Sequence, residues 1–164
     1  ASAEHFEKVG AIIRAEESRK YVVPSAPGKR FSGDTKVTDM LYGCYAVAEK
    51  GNDFTDLLDG IKARYNEIIK GLKLDLSLDK EFEVIHENFT NKSGSDYAAS
   101  RGEYLNGIIM ANYLGYVFID AADVIFFDEE GRFDDVKTHA CALDIVASRL
   151  IHLIKSLKYF FISI

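Results

Sequence analysis

The chain has 164 residues, of which 48% are hydrophobic and 28% charged, a composition typical of a globular protein with a core of its own. Its 26 acidic residues outnumber 20 basic ones, and the resulting net charge of −6 argues against nucleic acid as the main partner. No apolar run reaches the length of about 18 residues that predicts a membrane span. The two cysteines lie far apart and fit a reduced, cytoplasmic compartment. The four histidines show no metal-ligand spacing, so no metal site is predicted.

Hydrophobic residues recur with helical spacing in six segments. The predicted helices span about 2–17, 37–50, 54–71, 82–89, 96–115 and 136–157. Ser2 is expected to cap the first helix and Asp96 the fifth, because short polar side chains accept hydrogen bonds from the free N–H groups of a first turn.

Three apolar runs predict strands. The first is a short buried strand at 19–24 that ends at a proline, and the others lie at 116–120 and 124–127, before a turn at 129–131. Because these runs alternate with helices and the clear strands are apolar on both sides, we expect an α/β fold with a parallel sheet covered on both faces.

A basic loop at 25–36 follows the first predicted strand, and the next helix starts near Thr38. Open α/β sheets bind ligands at the carboxyl ends of their strands, and a helix N-terminus favours anions, including carboxylates. Ser25 and Thr38 are therefore candidate ligands for an anionic group. In the alternative interpretation the loop only forms a turn and Thr38 only caps a helix.

A second candidate is the Ser-Arg-Gly-Glu sequence at 100–103, inside the fifth predicted helix. A glycine costs a helix about 1 kcal/mol relative to alanine, so Gly102 and Gly107, on either side of Glu103, suggest that another group approaches the backbone there. A carboxylate between small residues can pair with the ammonium of an amino acid. The alternative is an ion pair with a lysine or arginine of the protein. Arg101 is expected to point away from Glu103.

Four motifs together resemble those of aspartate kinases, in order and in spacing. They are Val-Pro-Ser-Ala at 23–26, Lys-Val-Thr-Asp at 36–39, Ser-Arg-Gly-Glu at 100–103 and Asp-Ala-Ala-Asp-Val-Ile at 120–125. The resemblance covers about residues 2–136 and implies a three-layer α/β/α sandwich of the amino-acid kinase type with a mostly parallel sheet, here as a partial, helix-rich fragment. It also implies that Thr38 and Glu103 bind the substrate L-aspartate, with Ser25 beside them.

The resemblance further implies an activity. Aspartate kinases transfer the γ-phosphoryl of ATP, with Mg²⁺, to the side-chain carboxylate of L-aspartate on the way to lysine, threonine and methionine, and a cytoplasmic homo-oligomer is implied for the full-length enzyme. The chain is expected to be an N-terminal catalytic-domain fragment that lacks the start of the phosphate loop and the ATP-binding half. No catalytic residue is therefore assigned, neither ATP nor Mg²⁺ is expected to bind tightly, and the isolated chain is expected to be inactive.

The predicted division of the chain is a substrate-binding half at 1–138 and a divergent apolar tail at 139–164. The β-prone end at 159–164 carries no charge and is expected either to self-associate or to dock against the rest of the fold. Two other functions remain open: a non-catalytic fragment that binds a partner, and an amino-acid kinase family member with a different acidic substrate.

Overall fold

The computed structural model describes residues 2–143 and the backbone of 160–163. The elements are α1 (Ala3–Arg14), β1 (Tyr21–Val22), α2 (Val37–Glu49), α3 (Thr55–Gly71), α4 (Asp79–Thr90), α5 (Ser95–Leu114), β2 (Val117–Asp120), a 3₁₀ helix (Ala121–Asp123) and β3 (Phe160–Ser163). Helical backbone is also described over 135–143. The chain thus has an α/β fold in which helix predominates.

The hydrophobic core lies among α2, α3, α4 and α5. Leu41, Tyr65, Phe89 and Ile109 contribute one fully buried side chain from each of these helices. The central helix is α5, which contacts the other four helices as well as β2 and β3. A helix surrounded in this way has no broad polar face, and α5 therefore forms a rigid support for any group that it carries.

The strand β3 lies between β1 and β2, and both pair with it in parallel. Phe160 is aligned with Tyr21 on one side and with Val117 on the other. In the part of the chain that the structure describes, β1 and β2 are thus joined through β3. None of the described helices combines the length and apolar character needed to cross a membrane.

Two of the three strand predictions need correction. The strand predicted at 19–24 is only the two residues of β1, and it is not buried, since Tyr21 is 67% and Val23 53% exposed. The strand predicted at 124–127 is absent. The carboxylate of Asp120 accepts the N–H of Ala122 at 3.0 Å and turns the chain into the 3₁₀ helix. The remaining prediction, at 116–120, is confirmed as β2.

The predicted helix cap at Asp96 is wrong, and the one at Ser2 is correct in position only. The residue at the N-cap of α5 is Gly94, and Asp96 lies within the first turn. Ser2 does occupy the N-cap of α1, but its hydroxyl bonds to Nδ1 of His5 at 2.8 Å instead of to a backbone N–H. Local side-chain partners compete successfully with the backbone at such positions.

The C-terminal part of the chain is described only in pieces. Of the helix predicted at 136–157, residues 144–157 lie outside the described residues, as does most of the predicted tail at 139–164. The domain boundary at 138 stays a prediction.

Candidate functional site

Glu103 contacts the loop that follows β1. Its Oε1 accepts the backbone N–H of Ala26 at 3.2 Å, a bond that joins residues 77 positions apart. The residue is partly buried, and one oxygen of its carboxylate faces the loop. A carboxylate that accepts a backbone N–H makes a charge-assisted hydrogen bond of fixed direction. Glu103 therefore contacts the residue that follows Ser25.

The close approach predicted at Gly102 is present. A Cβ on Gly102 would lie 2.8 Å from Cβ of Ala26 and 3.4 Å from Cδ1 of Leu41. The glycine thus allows α5 to pack directly against both the loop and α2. This contact explains why a poor helix former precedes Glu103.

The backbone at Gly102 is also held by Tyr65. The Tyr65 hydroxyl donates to the carbonyl oxygen of Gly102 at 2.8 Å. Burial, together with the nearby Glu103 carboxylate, raises the pKa of Tyr65 well above its usual value. The phenol therefore keeps its proton and remains a donor.

Asn106 also contacts the loop, although the sequence did not predict this role. Its Nδ2 donates to the carbonyl oxygen of Ser25 at 2.6 Å, and the residue is only 6% exposed. Asn106 is three residues after Glu103, so both lie on the same face of α5. The spacing of three residues is the one feature of the sequence that points to Asn106. Its hydrogen-bond partner is 81 residues away, so the contact itself cannot be predicted from the neighbouring residues.

Ser25 itself is held by its main chain. Its carbonyl oxygen is bound by Asn106, its neighbour Ala26 is bound by Glu103, and the Ser25 residue is exposed. The hydroxyl is therefore placed at the surface of the site by two contacts from a single helix.

Thr38 is the second residue of α2, which begins at Val37 after an N-cap at Lys36. The interpretation in which Thr38 only caps this helix is therefore wrong. The N–H of Val37 donates to the carbonyl oxygen of Pro27 at 3.3 Å. Thr38 is half-buried. Among the described residues, it is linked to Ser25 and Glu103 through the backbone of the loop, by the Val37–Pro27 and Ala26–Glu103 hydrogen bonds.

Arg64 of α3 holds the two ends of this loop together. It is 6% exposed and donates to the carbonyl oxygens of Gly28, at 3.0 Å, and of Thr35. It also pairs with Asp34, with 3.2 Å between Nη2 and Oδ2. A buried guanidinium with several fixed acceptors locks the geometry of the chain around it, and here it fixes the approach to Thr38.

The positive charge expected of the loop is partly neutralised. Arg30 donates from its side chain to both carboxylate oxygens of Asp34 and pairs with Glu67 at 3.0 Å. The Arg30 contacts hold the pKa of Asp34 well below its usual range. Arg30 therefore belongs to the structural support of the loop.

Arg101 lies away from the Glu103 contact, as predicted. Its guanidinium carbon is 4.6 Å from the centre of the Tyr97 ring and 4.5 Å from that of Tyr104. Cation–π contacts of this kind hold the arginine against α5 itself, so it does not pair with Glu103.

A separate cavity of about 390 Å³ opens between α3 and α4, and its lining includes Lys62 and Asp79. These two side chains form an ion pair at 2.6 Å. The lining contains none of Ser25, Thr38 or Glu103. Among the described residues, no group of three His, Cys, Asp or Glu side chains is placed to hold a metal ion.

Comparison with known proteins identifies what this arrangement resembles. The chain is 32% identical over 127 residues to aspartokinase 3 of Bacillus subtilis (strain 168), a match that covers 74% of the chain and 28% of that protein. It also matches the crystal structure of Clostridium acetobutylicum aspartate kinase at 43% identity and a TM-score of 0.86, over 99% of the chain and 36% of that protein. The chain corresponds to a segment of an aspartate kinase.

The predicted resemblance to aspartate kinases is thus confirmed. No family model matches the chain. The Clostridium aspartate kinase is described as an important allosteric enzyme for industrial amino acids production. The chain spans about a third of the length of these two relatives.

Proposed function

We propose that this chain forms the aspartate-binding part of an aspartate kinase, with Ser25, Thr38 and Glu103 as contacts of L-aspartate. The whole protein would transfer the γ-phosphoryl of Mg-ATP to the side-chain carboxylate of aspartate, towards lysine, threonine and methionine. The observation that carries the proposal is the Glu103–Ala26 hydrogen bond, which places a carboxylate of α5 at the loop leading to α2.

The proposed roles follow from charge. Oε1 of Glu103 is taken by Ala26, and among the described residues Oε2 has no hydrogen-bond partner, so it is available to the substrate ammonium. Thr38 lies in the first turn of α2, where free N–H groups and the helix dipole favour a carboxylate. Ser25 adds an exposed hydroxyl on the loop that Glu103 contacts.

Mg²⁺ is commonly held by one or two carboxylates together with the phosphates of its nucleotide, and among the described residues no group of three His, Cys, Asp or Glu side chains marks a site for it. We therefore assign these residues to aspartate binding alone, and neither ATP nor Mg²⁺ is placed on them. The proposal extends to the finer fold, a three-layer α/β/α sandwich whose substrate-binding half is 1–138, and to a cytoplasmic homo-oligomer for the whole protein.

The test is titration calorimetry of the chain with L-aspartate. Glu103→Gln preserves the shape of the side chain but removes its charge, and it should weaken aspartate binding by about 2 kcal/mol, or roughly thirtyfold. Glu87→Gln, on the exposed side of α4, is the matched control and should bind as the original chain does.

L-Glutamate, titrated in parallel, tests the alternative of a different acidic substrate. Equal or tighter binding of glutamate would reject aspartate as the substrate. A Glu103→Gln variant with unchanged affinity for aspartate would reject the site.

A further inference from the structure

Asn106 carries an unsatisfied acceptor inside the protein. Its Oδ1 is buried and has no hydrogen-bond partner in the part of the chain that the structure describes. The orientation of the amide is fixed by its bond to Ser25, because the flipped amide would place two oxygens face to face. Oδ1 is therefore an acceptor by necessity, and it lies next to the Ser25 backbone.

Glu103 and Asn106 repeat one arrangement a turn apart on α5. Each uses one polar atom to hold the loop, Oε1 at Ala26 and Nδ2 at Ser25. Each then retains one oxygen with no partner among the described residues. A buried acceptor without a partner is unfavourable in an isolated fold, but it is suited to a ligand that brings its own donor.

We infer that Asn106 Oδ1 accepts a hydrogen bond from the ammonium group of the amino-acid substrate, beside Glu103. The inference rests on the proposed function, because it assigns a second contact to the same ligand group. An ammonium has three donors and needs several acceptors when water is removed. Glu103 supplies charge, and Asn106 supplies a neutral acceptor of fixed direction, so the pair selects ligands that carry an amino group.

The experiment compares L-aspartate with succinate, which is aspartate without its amino group, by calorimetry on the full chain. Asn106→Ala should weaken aspartate binding about tenfold, as expected when a hydrogen bond to a charged group is lost. It should leave succinate binding within about twofold of the original. Asn112→Ala, on an exposed position of α5, is the matched control and should change neither.

A second variant guards against a loss of folding. Asn106→Asp loses the donor to Ser25 but keeps an acceptor for the ammonium, so the preference for aspartate over succinate should persist or increase. Equal weakening of both ligands in Asn106→Ala, or loss of the preference in Asn106→Asp, would show that Asn106 only holds the loop and would overturn the inference.

The proposed function fails differently. If the original chain does not bind aspartate, or if Glu103→Gln leaves its binding unchanged, the site itself is wrong and the role of Asn106 falls with it. If Glu103→Gln weakens aspartate binding and Asn106→Ala does not, only the inference is overturned.

Discussion

At the scale of single residues, Gly102 sets how closely α5 meets the loop and α2. Its missing side chain would lie 2.8 Å from Cβ of Ala26, nearer than two carbons can pack without movement. The backbone carbonyl oxygen of Gly102 also accepts a hydrogen bond from the hydroxyl of the buried Tyr65. Packing and hydrogen bonding therefore both fix the residue immediately before Glu103.

Gly102→Ala should destabilise the chain by about 1–3 kcal/mol, because a methyl group inserted into a packed contact forces its neighbours apart. Gly60→Ala in α3 is the control. Apart from its chain neighbours and the nearby backbone of its own helix, nothing lies within 4 Å of the added carbon there, so it should stabilise the chain by about 0.5–1 kcal/mol through better helix propensity. Urea unfolding measures both, and an equal gain in stability for the two variants would contradict the close contact.

At the scale of elements, the loop between β1 and α2 is held by charged side chains. Arg64 binds the carbonyl oxygens of Gly28 and Thr35, and Asp34 connects Arg64 to Arg30. Through these contacts α3 determines where the loop delivers Ser25 and Thr38. The ion pairs are thus part of the preorganisation of the proposed site.

The lowered pKa of Asp34, caused first by its hydrogen bonds from Arg30, predicts a pH dependence. In the unfolded chain the pKa of an aspartate is about 3.9. Below that pH the unfolded chain binds a proton at Asp34, whereas the folded chain keeps the carboxylate ionised. The contribution of Asp34 to the free energy of unfolding is therefore full at neutral pH and is lost as the pH falls. Asp34→Asn should therefore be less stable than the original chain at pH 7, and the difference should shrink below about pH 4.

Urea unfolding of both proteins between neutral and acidic pH gives the measurement. Asp75→Asn, at an exposed position between α3 and α4, is the matched control. A difference between the original chain and Asp34→Asn that does not vary with pH would show that the aspartate acts by shape alone.

At the scale of the whole molecule, the sheet depends on β3. Both β1 and β2 pair with this strand. Without it, two rows of backbone donors and acceptors would be left open, and open strand edges promote association.

A chain that ends at Lys158 should therefore have a lower thermal midpoint and should sediment as larger species. Phe161→Pro removes one N–H from the central strand and should lower the midpoint in the same direction while keeping the chain length. If the shortened chain is a monomer with an unchanged midpoint, β3 contributes nothing to stability in solution.

The sequence predicted features with a local cause. The close approach at the glycine beside Glu103 follows from helix propensity, and it is present. The predicted burial of β1 failed because burial depends on what covers a strand, and two residues paired at one edge are little covered.

Other features could not be predicted from the sequence because the residues that cause them are far apart in the chain. In the sequence Asn106 is an ordinary helical asparagine, and only the fold brings it into contact with Ser25, 81 residues away. The sequence predicts a β-prone end at 159–164, and docking against the rest of the fold is one of the two outcomes expected for it. Its place between β1 and β2 depends on strands far from it in the chain.

The order of the strands also has a consequence for the path of folding. Phe160 pairs with Tyr21 and Val117, so the sheet requires contacts between parts of the chain that are synthesised far apart in time. Helices α2 to α5 follow one another directly and can pack through much shorter loops. Contacts of high sequence separation form slowly, because the intervening chain must first be ordered. The helical core that carries Glu103 and Asn106 is therefore expected to assemble first on the ribosome, and the sheet to close after it.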